Sequence, residues 1–180
     1  MKNLLVYLGA TSPENPVYVD AVRELGEKIA KRGVTLIFGG SHEGTMTVLG
    51  DAVLNNGGRA VGIFTKSLPR EFMYEGLTET VITENLAERK ATMLARADAI
   101  VAMPGSFGTW DELFDALEQA KIEMIHGRTP KKIAVLNILG FYDDLLRFIR
   151  HSVDEGYTTP PYANLLLSAS SVDELLTILE

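Results

Sequence analysis

The feature that most constrains the fold is a strand, a glycine turn and a helix start that follow one another within residues 99–117. The apolar run 99–102, Ala-Ile-Val-Ala, is typical of a buried strand, and a helical run follows from residue 113. Gly105 and Gly108 lie between them, where glycine allows the backbone to approach a ligand closely. Because the first N–H groups of a helix have no partner inside the helix, this 103–109 turn is suited to binding an anion.

Two polar residues at the end of this turn also have a structural explanation. Thr109 and Glu112 have the Thr-x-x-Glu spacing of a capping box, in which each side chain bonds an unpaired backbone N–H of the first helical turn. This interpretation predicts a helix that begins at Thr109 and a purely structural Glu112. The alternative is that the Glu112 carboxylate faces a ligand.

The same order of elements occurs along the whole chain. Apolar runs predict strands at 4–8, 34–38, 60–64, 79–82, 99–102, 132–136 and 165–167. Helical patterns predict helices at 16–33, 44–56, 84–97, 109–124, 141–154 and from 171 to the end. Alternating strands and helices predict a single α/β domain over residues 1–180, with one parallel sheet and helices on both faces. Residues 65–77 are predicted to form a loop that is able to cover a site.

Composition and charge exclude several classes of function. The chain has 24 acidic and 17 basic residues, a net charge of −7, and its Lys and Arg residues are scattered, so nucleic acid is not an expected partner. The absence of cysteine excludes disulfides and thiolate sites. His42, His126 and His151 lack metal-ligand spacing, so we expect no metal.

Hydropathy gives an expectation about location. No apolar run approaches the roughly 18 residues of a membrane span, and the first residues lack the pattern of a signal peptide. We therefore expect a cytoplasmic protein that has no membrane partner.

A second glycine turn and two cations complete the predicted site. Residues 39–45, Gly-Gly-Ser-His-Glu-Gly-Thr, also lie between a strand and a helix. In the helix 84–97, Arg89 and Lys90 stand three and four residues after Leu86, where apolar residues are expected, so both cations are predicted to point inward. Two glycine turns with this cation pair favour a phosphate site. Neither turn has the Gly-Lys-Ser/Thr ending of a P-loop or the G-x-G-x-x-G dinucleotide pattern, so a mononucleotide fits better than ATP or NAD.

Two motifs resemble those of a known family. Residues 104–112, Pro-Gly-Ser-Phe-Gly-Thr-Trp-Asp-Glu, resemble P-G-G-x-G-T-x-x-E, and residues 88–93, Glu-Arg-Lys-Ala-Thr-Met, resemble E-R-K-x-x-M. These are motifs of the LOG (LONELY GUY) family of cytokinin riboside 5′-monophosphate phosphoribohydrolases, often labelled lysine decarboxylase-like. The resemblance covers nearly the whole chain. It implies a Rossmann-like fold, a homodimer, and hydrolysis of a nucleoside 5′-monophosphate to free base and ribose 5-phosphate, with no metal or cofactor.

The resemblance also implies roles for individual residues. Glu112 is expected to stabilise the oxocarbenium-like sugar and to orient or deprotonate water, while Arg89 binds substrate and assists the departing base. The residues expected to bind substrate and phosphate are Lys90, Met93, Gly105, Ser106, Gly108, Thr109, Gly40, Ser41, Gly44 and Thr45. Ser41 and Ser106 stand where the family pattern has glycine, and Gly-Thr-Met-Thr at 44–47 replaces G-L-M-G, so the lining of the site differs from that pattern.

Two other functions remain open at this level. A decarboxylase would need pyridoxal phosphate on a lysine, with Lys90 the best placed, although a single 180-residue domain offers little room for that cofactor. A non-catalytic carrier of a nucleotide or a molybdopterin-type cofactor would use the same glycine turns and Arg89. Release of free base from a nucleoside monophosphate distinguishes the hydrolase from the carrier.

Overall fold

Seven strands form one parallel sheet in the computed structural model, which describes residues 1–180. They are β1 (Asn3–Tyr7), β2 (Thr35–Phe38), β3 (Ala60–Thr65), β4 (Glu79–Thr83), β5 (Ala99–Ala102), β6 (Lys132–Leu136) and β7 (Leu166–Ala169). Their order across the sheet is β4-β3-β2-β1-β5-β6-β7, and every neighbouring pair is parallel. The predicted α/β class with a Rossmann-like parallel sheet is confirmed.

Seven helices accompany these strands. They are α1 (Pro16–Lys31), α2 (Gly44–Asn55), α3 (Leu86–Arg96), α4 (Phe107–Ile125), α5 (Asp143–Asp154), α6 (Pro160–Ala163) and α7 (Val172–Leu179). The predicted elements are present, with ends shifted by one or two residues. The single-turn α6 was not predicted, because its two prolines indicate a break in most contexts but are tolerated in the first turn of a helix. None of the helices combines the length and the apolar character that a membrane span requires.

The five central strands, β3, β2, β1, β5 and β6, are buried on both faces, which explains their near-continuous apolar sequences. On β1, Leu4 and Val6 face a core shared with α1, α2 and α7, whereas Leu5 and Tyr7 face a second core shared with α3 and α4. Every helix except the single-turn α6 contributes apolar side chains to one of these two cores, as the 3.6-residue period predicts. The helices therefore cover both faces of the sheet, as predicted.

After β4 the chain returns to the other side of β1, so that successive strands are added to the sheet in the opposite direction. The candidate site lies at this point. The chain runs from β1 through β2 and β3 to β4 on one side, whereas β5, β6 and β7 follow on the other side. The connections that leave β1 and β5 therefore diverge and open a crevice beyond the carboxyl ends of the strands. This is the place where parallel α/β sheets bind ligands.

Candidate active site

A crevice of about 260 Å³ lies at this reversal point. It is lined by residues that follow β1, β2 and β5, together with side chains from α2, α3 and α4. Six of the predicted site residues line it: Arg89, Glu112, Ser41, Ser106, Gly108 and Thr109. The structure thus brings both predicted catalytic residues and three of the four predicted residues of the 103–109 turn into one small cavity.

Arg89 is buried and held in a fixed orientation. Its Nε donates to the Ile63 carbonyl at 2.8 Å, and its Nη2 donates to the Gly39 carbonyl, also at 2.8 Å. A Cβ atom on residue 39 would lie 2.0 Å from Nη2, so only glycine leaves room for the guanidinium. The third nitrogen, Nη1, lies 3.6 Å from Oε1 of Glu112. Arg89 therefore directs a buried cation at the predicted catalytic carboxylate.

Glu112 has a pKa close to neutrality. Its side chain is only 13% exposed. Burial raises the pKa of Glu112 to about 7, because a charged carboxylate loses hydration there, and the Asp111 carboxylate adds to this rise. The cations Arg89 and Lys90 lower the pKa and offset only part of the increase. A group that titrates near pH 7 is suited to exchanging protons in catalysis.

The predicted capping box at Thr109 is wrong. The helix α4 begins two residues earlier, at Phe107, with Ser106 as its N-cap residue and no side-chain bond to the cap. The Thr109 hydroxyl is buried without any hydrogen-bond partner, and Glu112 faces Arg89 instead of the backbone. Early helix initiation moves Thr109 into the first turn, where its side chain lines the crevice. The structural explanation for Glu112 is thereby removed.

The hydroxyl side chains of the 39–45 turn donate hydrogen bonds to backbone carbonyls of other segments. The Thr45 hydroxyl donates to the Gly9 carbonyl at 2.7 Å, and the Ser41 hydroxyl donates to the Phe72 carbonyl at 2.9 Å. Gly44 has a φ of 52° and packs against the backbone of Ala10. Ser41 reaches the crevice, whereas four other predicted residues are not among its lining: Gly40, Gly44, Thr45 and Gly105.

With this geometry established, the chain can be compared with known proteins. A family described as "Possible lysine decarboxylase" matches residues 46–179. Cytokinin riboside 5′-monophosphate phosphoribohydrolase LOG2 of Arabidopsis thaliana is 34% identical over 180 residues, covering 99% of this chain and 83% of the relative. The rice (Oryza sativa subsp. japonica) enzyme named LOG is 36% identical and is covered over 73% of its length. The chain belongs to the LOG family.

Solved structures agree with this membership at the level of the fold. The structural-genomics target TM1055 superposes with a TM-score of 0.73 at 26% identity, over 99% of this chain and 98% of that chain. The molybdenum cofactor binding protein from Rippkaea orientalis superposes with a TM-score of 0.72 over 99% and 96% of the two chains. Its identity of 19% shows a shared fold only.

Two residues of the LOG helix motif do not reach the crevice. The Lys90 ammonium lies 3.0 Å from Oδ1 of Asp111 and 3.7 Å from Oδ1 of Asp115. It lines a separate groove of about 530 Å³ between α3 and α4. The Met93 side chain is fully buried in the core below α3. Consecutive residues on a helix point about 100° apart, so Arg89 and Lys90 cannot enter the same small cavity.

The prediction from sequence missed several residues that line the LOG crevice. Leu68 and Phe72 come from the 66–78 loop, and Glu43 and Met46 come from the start of α2. The loop was predicted to be able to cover a site, but apolar residues in a segment without periodicity give no signal of their own. Nowhere in the chain do three or more His, Asp or Glu side chains come together in a way that could hold a metal ion.

Proposed function

We propose that this LOG-family protein hydrolyses the N-glycosidic bond of a nucleoside 5′-monophosphate, either AMP or a cytokinin riboside 5′-monophosphate. The products are the free base and ribose 5-phosphate. The observation that carries the proposal is the buried pair of Arg89 and Glu112, 3.6 Å apart, beside the amino end of α4. The relatives named above as phosphoribohydrolases support the same reaction.

The amino end of α4 is suited to the 5′-phosphate. Ser106, Gly108 and Thr109 line the crevice there, and the first N–H groups of the helix lack partners inside the helix. The positive end of the helix dipole favours an anion. The Thr109 hydroxyl, which has no partner in the protein, offers an additional donor. Binding the phosphate at this end supplies energy that positions the sugar beside Glu112.

The chemistry follows from the charges that develop as the bond breaks. Positive charge grows on the ribose when the bond from C1′ to the base nitrogen breaks, and an ionised Glu112 beside it stabilises that charge. Glu112 also accepts a proton from the water whose oxygen bonds C1′. The electron pair of the broken bond goes to the base, which takes up a proton from solvent water, and Glu112 then releases the proton it accepted, so that one water is consumed. Nη1 of Arg89, which already faces Glu112, stabilises the negative charge of the departing base.

The decisive experiment compares nucleotides with their nucleosides. We expect free base and ribose 5-phosphate from AMP and from a cytokinin riboside 5′-monophosphate, with much slower release from adenosine, which lacks the phosphate. Chromatographic quantification of the free base measures the rate of release from the nucleotides and from adenosine. Equal rates on AMP and adenosine would contradict the role of the phosphate site. Tight binding of the nucleotides without release of any base would replace the hydrolase with a carrier.

We also propose that the protein is a homodimer and works in the cytoplasm. The family resemblance supports the dimer, as does a row of exposed aromatic side chains on α4 at Phe107, Trp110 and Phe114. Light scattering should give about twice the chain mass of 19.7 kDa. Phe114→Glu should reduce that mass to the monomer value if the row is in the interface. A monomeric parent protein would contradict the dimer, and cell fractionation tests the location.

A further inference from the structure

The loop of residues 66–78, between β3 and β4, forms a wall of the crevice through Phe72. It is tied to the glycine turn after β2 by two backbone hydrogen bonds. The His42 N–H donates to the Phe72 carbonyl at 2.7 Å, and the Tyr74 N–H donates to the Gly40 carbonyl at 2.9 Å. The backbone on both sides of residue 72 is therefore fixed relative to the sheet.

Ser41 adds a side-chain hydrogen bond to this wall. Its buried hydroxyl donates to the Phe72 carbonyl at 2.9 Å, so that carbonyl accepts bonds from two consecutive residues. The LOG pattern has glycine at this position, which would leave only the backbone bond. The hydroxyl therefore gives this chain an additional anchor at Phe72.

A second anchor acts through Tyr74. Its hydroxyl donates to the Asp51 side chain on α2, and its ring packs on Gly50, where a Cβ would lie 2.8 Å from the ring. Burial, followed by the bond to Asp51, raises the pKa of Tyr74 well above its ordinary value. The phenol therefore stays protonated and keeps this bond at neutral pH.

The crevice is lined by both polar and apolar side chains. The polar lining includes Thr109, Glu112 and Arg89, which the proposed function assigns to the phosphate, the sugar and the departing base. The apolar lining includes Phe72, Leu68 and Met46. A nucleoside monophosphate has the same two kinds of surface, a charged phosphate and a flat aromatic base. The base needs an apolar partner, and an aromatic ring is the best one available.

We propose that Phe72 contacts the base of the bound nucleotide and determines base specificity, and that Ser41 is the positioning residue that holds Phe72 against it. The inference rests on the function proposed above and adds which side chains recognise the purine base of its substrates, because a purine offers a larger stacking surface than a pyrimidine does. Removal of an aromatic ring that stacks on a base weakens binding by about tenfold to a hundredfold.

The test compares Phe72→Ala and Ser41→Ala with the parent protein. Phe148→Ala is the matched control, because Phe148 is 64% exposed and does not line the crevice. For each protein, KM and kcat are measured with AMP, and the inhibition constant is measured for ribose 5-phosphate, which lacks a base. AMP affinity is also measured by calorimetry with Glu112→Gln added to each variant, so that binding is observed without turnover.

Phe72→Ala should raise KM and the dissociation constant for AMP about tenfold or more, with a much smaller change in kcat. The inhibition constant of ribose 5-phosphate should stay within about twofold of the parent value, since this ligand has no base to contact the wall. Ser41→Ala should raise the same AMP constants severalfold, because Phe72 is retained but held less firmly. UMP should bind the parent more weakly than AMP, and Phe72→Ala should reduce that difference.

Three results would overturn the inference. In the first, Phe72→Ala weakens AMP and ribose 5-phosphate equally, which indicates general damage to the crevice. In the second, it leaves AMP affinity unchanged. In the third, UMP binds the parent as tightly as AMP. Failure of the proposed function is recognised separately, because a parent that releases no base still allows the calorimetric comparison to decide the role of Phe72.

Discussion

The two glycine turns that flank β1 have similar sequences and opposite uses. The 39–45 turn follows β2 and the 103–109 turn follows β5, and each leads directly into a helix. In the 39–45 turn, the hydroxyls of Ser41 and Thr45 both bond backbone carbonyls of other segments. In the 103–109 turn, the Thr109 hydroxyl is buried without a partner, and a Cβ on Gly108 would meet nothing within 4 Å.

Two glycine turns that each precede a helix can therefore serve different purposes. The 39–45 turn joins neighbouring segments, since Gly44 lies against Ala10 and Gly39 makes room for Arg89. The 103–109 turn keeps donors available, and an unpaired buried donor is costly unless a ligand uses it. The first turn therefore supports the site, and we propose that the second turn binds substrate. Four sets of experiments test this division.

The largest expected effect is at the carboxylate beside the 103–109 turn. Glu112→Gln should lower kcat for AMP about 10²- to 10⁴-fold, the usual contribution of a general acid or base. Asp144→Asn, a change at an exposed carboxylate on α5, is the matched control and should keep the parent rate. Parent-like turnover by the Gln variant would remove the central residue of the proposed mechanism.

The same variant should be more stable than the parent at high pH. The folded-state pKa of Glu112 is raised to about 7, so its contribution to stability is fully present below the unfolded-state pKa and is lost as pH rises through 7. Gln cannot ionise and avoids this loss. Above pH 7 we expect Glu112→Gln to unfold with a free energy on the order of 2 kcal/mol higher than the parent, and to match it near pH 4. Urea titrations of both proteins above pH 7 and near pH 4 measure this difference in the free energy of unfolding.

The next largest effect is in the pH dependence of turnover. If Glu112 must be ionised, kcat/KM for AMP should rise about tenfold per pH unit below 7 and level off above it, which gives about a hundredfold difference between pH 5 and pH 8. Lys90→Ala should move the midpoint upward by a small amount, because the Lys90 ammonium lowers the pKa of Glu112 from the neighbouring groove. A rate that falls through pH 7 would instead assign Glu112 as a proton donor.

Alanine substitutions at one glycine of each turn should separate stability from binding. Gly44→Ala places a Cβ 2.4 Å from the Ala10 backbone at a φ of 52°, so we expect a loss of about 2–4 kcal/mol in the free energy of unfolding. Gly108→Ala meets no neighbouring atom and should be neutral or slightly stabilising, while raising KM because the methyl group adds bulk to the crevice lining. Equal destabilisation by both variants would contradict the division.

The smallest effects are expected from a matched pair of threonine changes. Thr45→Val removes the bond to the Gly9 carbonyl and should cost about 1–2 kcal/mol of stability, with KM nearly unchanged. Thr109→Val removes a buried hydroxyl that has no partner, so stability should stay equal or rise, while KM for AMP increases severalfold. Thermal unfolding and AMP kinetics on both proteins distinguish these outcomes.

The sequence predicted the fold and most of the lining at the helix-start edge of the candidate crevice because both depend on local patterns. Apolar runs and 3.6-residue stripes are properties of neighbouring residues, and glycines after strands mark the turns at the carboxyl edge of the sheet. The start of α4 was misplaced because Thr-x-x-Glu fits a capping box wherever it occurs, and only the observed N-cap at Ser106 shows that it is not used. Leu68 and Phe72 were missed because their loop has no pattern.

What the sequence by itself determined is the parallel α/β sheet, the glycine turns at its carboxyl edge, and the presence of Arg89 and Glu112 near them. Only the tertiary structure decided that Arg89 enters the crevice while Lys90 enters another groove, and that Ser41 bonds Phe72. These outcomes depend on contacts between segments distant along the chain, such as the carbonyls of Gly39 and Ile63 that orient Arg89. The pKa of Glu112 was decided in the same way, since burial between packed elements sets the hydration that a carboxylate keeps.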